Sequence, residues 1–438
     1  EDALIIEAAR LFASGPKGTA ITGTGPEMGA HPNLTQHLVS SLNIVCGRFY
    51  RAGDRLPNPG MLSPPSPKVA QVADVAVAWG RGERCRVRPD LGELVTPGRL
   101  GPSREMPTAQ LADEILTPGE GQVKALFVIA GNPIMAWPDQ EKALAAMKGL
   151  ELLVCIDPYI SATAELADYV LAPKLTLERE DVTLLSDAWY EKPYSQYSRA
   201  VIESEHDVIE EWELYWAIAD RMNLEINIGR SVIPNQPKPE KFDVLKAITN
   251  GSRVDLDWLR DNPGGHIFED VVSEVQPGPE GSVSKLKLYP DGVEEEFAEL
   301  RAEPGLNADF PHLLIGFRSK YVLNSFGHNL PALKKKSGTT NPAHLHPADL
   351  AALGIDDDDE VQIASAHGQI SAIVKADAKI KPGVIAMHHC WGLSPDKQGS
   401  VRENGANTNL LVSSETDTQR YTGMTRSSSI PVRIKKSA

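Results

Sequence analysis

The chain is expected to fold as an α/β body followed by an all-β C-terminal part. Two stretches predict this. Val123–Pro173 reads as strand, helix, strand, helix, strand, with polar residues only at the strand ends. From His312 onward, apolar and polar residues alternate in short runs broken by turn signals.

In the first stretch, Ala125–Ala130 is an apolar run that stops at Gly131-Asn132-Pro133. A helix is expected from about Pro138 to Lys148. Leu152–Ile156 is a second apolar run and stops at Asp157-Pro158. Ser161–Asp168 fits a short helix, and Tyr169–Ala172 a third strand ending at Pro173. Continuous apolar strands separated by helices imply a parallel sheet buried on both faces. Ligands of such sheets bind beyond the carboxyl ends of the strands, where Asn132 and Asp157 fall.

In the second stretch, Leu313–Phe317 is a strand. Glu360–Ala366 and Gln369–Ala376 alternate around His367-Gly368, a hairpin signal. Lys381-Pro382-Gly383 turns the chain into a strand over Val384–His389. Before these, Pro347–Leu353 is a short helix, with His346 just ahead of its start.

The N-terminal region should begin with an amphipathic helix over Glu1–Ser14, with Leu4, Ala8, Leu11 and Phe12 on one face. Thr19–Thr22 is a strand candidate broken by Gly23-Thr24-Gly25-Pro26, and a helix follows over Asn33–Val45. A strand, a glycine loop and a helix can cradle a phosphate, although many such loops are simply turns. Leu56–Pro67 holds five prolines and must be irregular. Gly92–Pro118 is broken in the same way. Glu210–Arg221 is a helix whose Trp212, Tyr215, Trp216 and Ala219 form a stripe expected in the core. Asp257–Arg260 and His266–Val275 are read as helices, and Ser284–Tyr289 as an exposed strand.

The 438 residues allow two to four domains, and 41% hydrophobic content argues for a globular chain. A formal net charge of -15 argues against nucleic acid or an anionic membrane as the main partner. The basic run Arg81–Arg88 is either a local anion patch or a solvated loop. Four separated cysteines, Cys46, Cys85, Cys155 and Cys390, suit neither a metal cluster nor a disulfide framework. Reduced, mostly buried thiols are expected. No 18-residue apolar run exists, so no membrane span is expected. No signal peptide is visible, which points to the cytoplasm. The chain starts at Glu1 rather than Met, so an upstream segment, an export signal included, stays open.

Other chemistry finds little support. The acidic run Asp356–Glu360 lacks the spacing of a calcium loop and reads as a solvated turn. His388 and His389 are adjacent on a strand and face opposite sides, so they cannot share one ion. No nucleophile elbow, P-loop or dinucleotide fingerprint is present.

The strings LFVIAGNPIMAWPD and LLVCIDPYISATAELADYVLAP resemble the molybdopterin oxidoreductases of dimethyl-sulfoxide-reductase type. Asn-Pro after the first strand, Asp after the second, and a Thr-Ala…Ala-Asp helix before the third recur together there. NPAHLHPADLAALGI, with the run Asp359–Gly392, resembles that family's C-terminal six-stranded double-psi β-barrel. Here Asp357-Asp358-Asp359 replaces the usual Asp-Gly-Asp, which implies a different turn.

The resemblance implies a bis(molybdopterin guanine dinucleotide) cofactor carrying Mo or W. It places Gly131, Asn132 and Asp157 at one guanine nucleotide, and Thr24, Gly25 and Met28 at the pterin nucleotide. Where the family often has Gln, this chain has Met28, which offers no amide. LTLEREDVTLL places Arg179 at a basic cofactor contact. GFRSKYVLNSFGHNLP places Arg318, Asn324 and Ser325 near a pterin, with a surface loop as the alternative. GANTNLL presents either Asn407 or Asn409. His388–Trp391 would be a strand end beside the cofactor.

The same resemblance divides the chain. Residues 1–120 form a partial α/β domain, 121–230 the α/β nucleotide-binding domain, 231–305 an irregular linker and 306–438 the dinucleotide-binding barrel. It covers only the C-terminal part of the family. The metal ligand and any iron–sulfur cluster are therefore expected in an N-terminal half or a partner subunit, with an electron-transfer subunit also possible. The chain alone should be catalytically incomplete. The expected function is two-electron redox or oxygen-atom transfer at the metal. The alternative is a structural or electron-transfer subunit that keeps the fold without the cofactor.

Overall fold

A computed structural model describes residues 2–70, 85–91, 106–282, 285–290 and 292–437. Helices α1 (Asp2–Ser14), α2 (Thr24–Glu27) and α3 (Pro32–Val45) open the chain. The expected strand over Thr19–Thr22 is absent; the Asn43 side chain takes up the Ala20 backbone, accepting from its N at 2.8 Å and donating to its O at 2.7 Å. Helix α1 forms as the pattern predicts, but it buries no residue, and Leu4 and Leu11 are exposed. Amphipathic spacing sets where a helix forms, not what covers it.

Residues 106–118, expected to be irregular, carry helix α4 (Leu111–Leu116). Then comes the α/β unit: β1 (Ala125–Ile129), α5 (Pro133–Ala136), α6 (Gln140–Gly149), β2 (Leu152–Ile156) and β3 (Tyr169–Leu171). The helix expected over about Pro138–Lys148 is α6, preceded by the short unexpected α5; Asp139 accepts a hydrogen bond from Lys142 N and caps α6. The segment before β3 forms only a 3-10 turn over Ala164–Leu166. The sheet is parallel in the order β1-β2-β3, and Ile129 pairs with Ile156. Its core includes Ile134, Ala143, Met147, Leu153 and Cys155.

The stretch 231–305 is more ordered than an irregular linker. It holds α8 (Lys241–Ile248), α9 (Leu256–Asp261) and α10 (Val293–Ala302), after α7 (Glu211–Met222). Leu245, Leu256 and Leu259 pack with Met61, Leu62 and Tyr197 in a core of their own. His266–Val275 is not a helix: His266–Ile267 and Ser273–Glu274 pair with Tyr194–Ser195 and Arg55–Leu56. These segments form as strands because distant partners supply the backbone hydrogen bonds. Residues 285–289 form no strand, and Ser284 lies outside the described residues. The aromatic stripe of α7 is not core. Only Ala219 is buried, and Lys238 lies over the Trp212 and Trp216 rings at 5.6 and 5.8 Å.

The C-terminal part is a closed six-stranded barrel with the double-psi mix of strand directions. Its strands are β4 (His312–Gly316), β5 (Ala343–Leu345), β6 (Glu360–Ala364), β7 (Gln369–Ala376), β8 (Val384–Met387) and β9 (Ile430–Lys436). The order is β4-β8-β5-β7-β6-β9, with β4‖β8 and β5‖β7 parallel. Alternation fills it: Val361, Ile363, Ile385 and Val432 are fully buried. Each such side chain contributes about 1.5–3 kcal/mol. Ahead of the β6–β7 hairpin, His346 caps helix α11 (Pro347–Leu353) by accepting from Ala348 N at 3.1 Å. Gly354, at φ 65°, ends it.

Candidate cofactor cleft

Two sets of strand ends face each other. The carboxyl edge of the parallel sheet ends at Ala130–Asn132 and Asp157. The parallel barrel pair β4 and β8 ends at Phe317-Arg318 and His388–Cys390, with Gly316 opposite Met387. Between them lies a cavity of about 680 Å3.

Nine of the twelve sequence-derived candidates line this cavity: Thr24, Gly25, Met28, Gly131, Asn132, Arg318, Asn324, Ser325 and Asn409. They come from four separate stretches of chain. The N-terminal loop is held in place because Ser427 N and Ser428 N both donate to Met28 O, at 3.0 and 2.9 Å. Asn132 is fixed through its Oδ1, which accepts from Thr163 Oγ1 at 2.9 Å and Thr163 N at 3.3 Å. Among the described residues, its amide N–H2 has no hydrogen-bond partner.

Three candidates stand elsewhere. Arg179 pairs with Glu211 at 3.2 Å and approaches Asp181 at 3.9 Å, and does not line the cleft. Asp157 ends β2 beside the cavity rather than in its wall. Its Oδ1 accepts from Tyr159 N at 2.9 Å, and the Tyr159 ring meets Phe326 of the barrel at 6.3 Å. Asn407 is 2% exposed and sits behind the wall, its Oδ1 accepting from Asn409 N at 3.0 Å. Of the two asparagines left open by sequence, Asn409 reaches the cleft. It is anchored by donating from Nδ2 to Met135 O at 2.9 Å.

The described arginines of the basic run do not join the site. Arg86 donates to Thr117 O at 2.6 Å, and Arg88 pairs with Asp90 at 2.8 Å. Residues 81–84 lie outside the described residues.

Sequence reasoning missed the wall residues Phe317, Thr408, Ser427 and Ser428, whereas Cys390 lies in the strand end expected beside the cofactor. It also missed Asn341, which is 2% exposed and ties the β8 end to the following loop. Its Nδ2 donates to His388 O at 2.6 Å and to Ala406 O at 2.8 Å, and its Oδ1 accepts from Ala406 N at 2.8 Å. Only the Asn-Pro pair at 341–342 hinted at a special turn. Gly392 completes this clasp at φ 90°, where a Cβ would meet Asn407 N at 2.7 Å.

The lining mixes apolar and polar groups and lacks acid. Among the described residues it contains hydroxyls, amides and Arg318, but no carboxylate, in a chain with 59 Asp and Glu. A Cβ on Gly25 or Gly316 would meet nothing within 4 Å. Their backbones thus face open space that a ligand can approach closely. Burial pushes the Cys390 thiol up to about 12, so it stays protonated. His389 is held below its ordinary value by burial, then by Arg318 and His388. Among the described residues, no group of three or more His, Cys, Asp or Glu is arranged to hold a metal ion. The donor set fits an elongated anionic cofactor bound through hydrogen bonds and one cation.

Three of the nine described non-glycine residues with positive φ lie here. Ala130, Asn324 and Cys390 line the cleft at φ 49°, 53° and 62°. Such conformations cost non-glycine residues roughly 1–2 kcal/mol each. They cluster at binding sites when the surrounding fold enforces them.

Residues 29–221 match the family described as molybdopterin oxidoreductase, and residues 313–428 the molydopterin dinucleotide binding domain. Acetylene hydratase of Syntrophotalea acetylenica is 26% identical over 303 residues, covering 63% of this chain and 38% of that protein. Trimethylamine-N-oxide reductase of Haemophilus influenzae is 22% identical over 324 residues, covering 64% and 39%. Dimethyl sulfoxide reductase of Escherichia coli is 23% identical over 312 residues, covering 63% and 37%. The solved acetylene hydratase from Pelobacter acetylenicus superposes with TM-score 0.68 at 16% identity, covering 100% of this chain and 63% of that one. That likeness is one of fold. The chain spans about two fifths of the length of these relatives by sequence.

Proposed function

We propose that this chain, a member of the molybdopterin oxidoreductase family of dimethyl-sulfoxide-reductase type, holds a bis(molybdopterin guanine dinucleotide) cofactor in an oxidoreductase. The observation that carries this reading is the convergence of nine candidates from four stretches on one carboxylate-free cleft. When bound, the cofactor's Mo or W supplies two-electron redox or oxygen-atom transfer.

The chain's own residues bind and orient. Thr24, Asn132, Ser325 and Asn409 offer hydrogen-bond donors along the wall. Arg318 supplies the positive charge, and its guanidinium is oriented by donating to Asn324 Oδ1. Asp157 stands just outside, at the end of β2. Its Oδ2 can accept from the N1–H and amino group of guanine, which selects that base over adenine. The protein ligand to the metal, any iron–sulfur cluster and an electron-transfer partner belong to polypeptide beyond these residues.

The test is elemental analysis of the protein purified from its native source. Mo or W is expected together with guanine nucleotide released on denaturation. Nucleotide without either metal, or neither component, would contradict the reading.

A further inference from the structure

Strand β1 has both faces covered and one edge bare. Val128 lies in the core with residues of α5 and α6, and Leu126 packs against that core. On the other face, the Phe127 ring meets Tyr215 of α7 at 6.2 Å. Leu152 N donates to Lys124 O at 3.2 Å, and Ala130 N donates to Ile156 O at 3.0 Å. A parallel ladder uses alternate residues, so Leu126 and Val128 also bond to β2. The N–H and C=O groups of Ala125, Phe127 and Ile129 therefore point away from β2. Among the described residues, no strand, turn or side chain bonds to them. Ala125 and Ile129 are exposed, and Phe127 is partly buried.

The opposite edge of the sheet is capped at the end of β3. Ile209 N donates to Ala172 O at 3.0 Å, and Ile209 O accepts from Lys174 N at 2.8 Å, with Pro173 between them. The β1 edge has no such guard. Ala125–Ile129 is wholly apolar, in unbroken register, without the charge, proline or bulge by which edge strands resist pairing. The nearest charge, Lys124, is engaged by Glu151 at 2.7 Å. Parallel sheets are otherwise buried structures, and a flat apolar edge is a template for a further strand.

We propose that the outer edge of β1 receives a further strand, supplied by polypeptide beyond these 438 residues, which makes β1 an interior strand. This chain spans about two fifths of its relatives by sequence, so those proteins carry further polypeptide. A second copy is a poorer occupant, because two chains of net charge -15 repel each other. Backbone hydrogen bonds to Ala125, Phe127 and Ile129 hold the added strand. It is apolar on both sides, since one side continues the layer of Phe127 and Tyr215 and the other that of Val128. Whichever way it runs, one of its ends lies beside Ala130, Gly131 and Asn132, which line the cleft. Its adjoining loop thus extends the cleft wall. The pairing itself stands apart from the cofactor reading.

The experiment is hydrogen–deuterium exchange, read at single amides, on the protein purified from its native source. Leu126 and Val128, bonded to β2, are the internal reference. Phe127 and Ile129 should exchange within about tenfold of that reference. Exchange at both that is about 100-fold faster or more would overturn the proposal. A second measurement identifies the occupant. Ile129 is replaced by photoreactive benzoylphenylalanine in the native host, and the cross-linked peptide is sequenced. A peptide from outside residues 1–438 is expected. A peptide from within them, whether of the same chain or of a second copy, would overturn the proposal. Neither readout needs the cofactor, so a protein that releases no guanine nucleotide leaves this test in force.

Discussion

Thr163 and Asn132 are locked together at the carboxyl edge of the parallel sheet: the hydroxyl of Thr163 donates to Asn132 Oδ1 at 2.9 Å. The same hydroxyl accepts from Ile134 N at 3.1 Å, and Thr163 is fully buried. One side chain thus fixes the turn after β1 from the loop before β3. Thr163→Val keeps the shape, leaves buried Ile134 N without its acceptor and reduces the hold on Asn132 Oδ1 to the Thr163 N–H alone. It should destabilise the protein by about 1–3 kcal/mol, read from the urea midpoint. Cofactor retention should fall as well, since Asn132 would lose its orientation. An unchanged midpoint would show that the clasp carries no weight.

Arg318 is the one cation among the described residues of the cleft. Arg318→Ala removes a charge-assisted contact worth about 1.5–3 kcal/mol, so nucleotide retention should weaken about 10- to 100-fold. Arg318→Lys should recover part of this, since charge returns without the planar fork. Dissociation rates of bound guanine nucleotide measure both effects.

Stability should fall on mild acidification. Burial is the leading cause that holds His312, His328, His388 and His389 below the ordinary histidine value. A base with a depressed folded pKa binds fewer protons folded than unfolded. Its contribution is present above about 6.5 and is lost as the pH falls toward the folded value. Glu296 and Asp187, raised by burial, act in the opposite sense at lower pH. Unfolding free energy should drop between about pH 7 and pH 5, and His328→Gln should flatten that slope. A flat wild-type profile across this window would count against neutral buried histidines.

Ala130 holds a left-handed conformation at an exposed position on the cleft rim. Ala130→Gly should stabilise the fold by up to about 1 kcal/mol, after the entropic cost of glycine is set against the relieved strain. Thermal unfolding measures this.

Local pattern made much of the architecture legible. Pro347–Leu353, the three parallel strands and the hairpin around His367-Gly368 follow from periodicity and from proline and glycine punctuation. Elements made by distant pairing were not legible. His266–Ile267 becomes a strand only because Tyr194–Ser195 lies alongside. The missing strand over Thr19–Thr22 is the converse, a β-prone run whose Ala20 backbone is taken by a distant side chain, Asn43, instead of a strand. At the site, strand-end position picked out Asn132, and motif order the barrel-loop residues Arg318, Asn324 and Ser325. Asn341 and Thr163 were invisible because their work is hydrogen bonding across 65 and 31 residues of chain. Arg179 was misplaced because its acidic partner, Glu211, is equally distant in sequence.

The most direct test of the cofactor reading is the amount of guanine nucleotide released by acid from natively purified protein, wild type beside Asp157→Ala. The account expects guanine as the released base, in proportion to the chain, and a clear loss in the variant because the base's acceptor is gone. Equal release from both proteins, or a released base other than guanine, would contradict it.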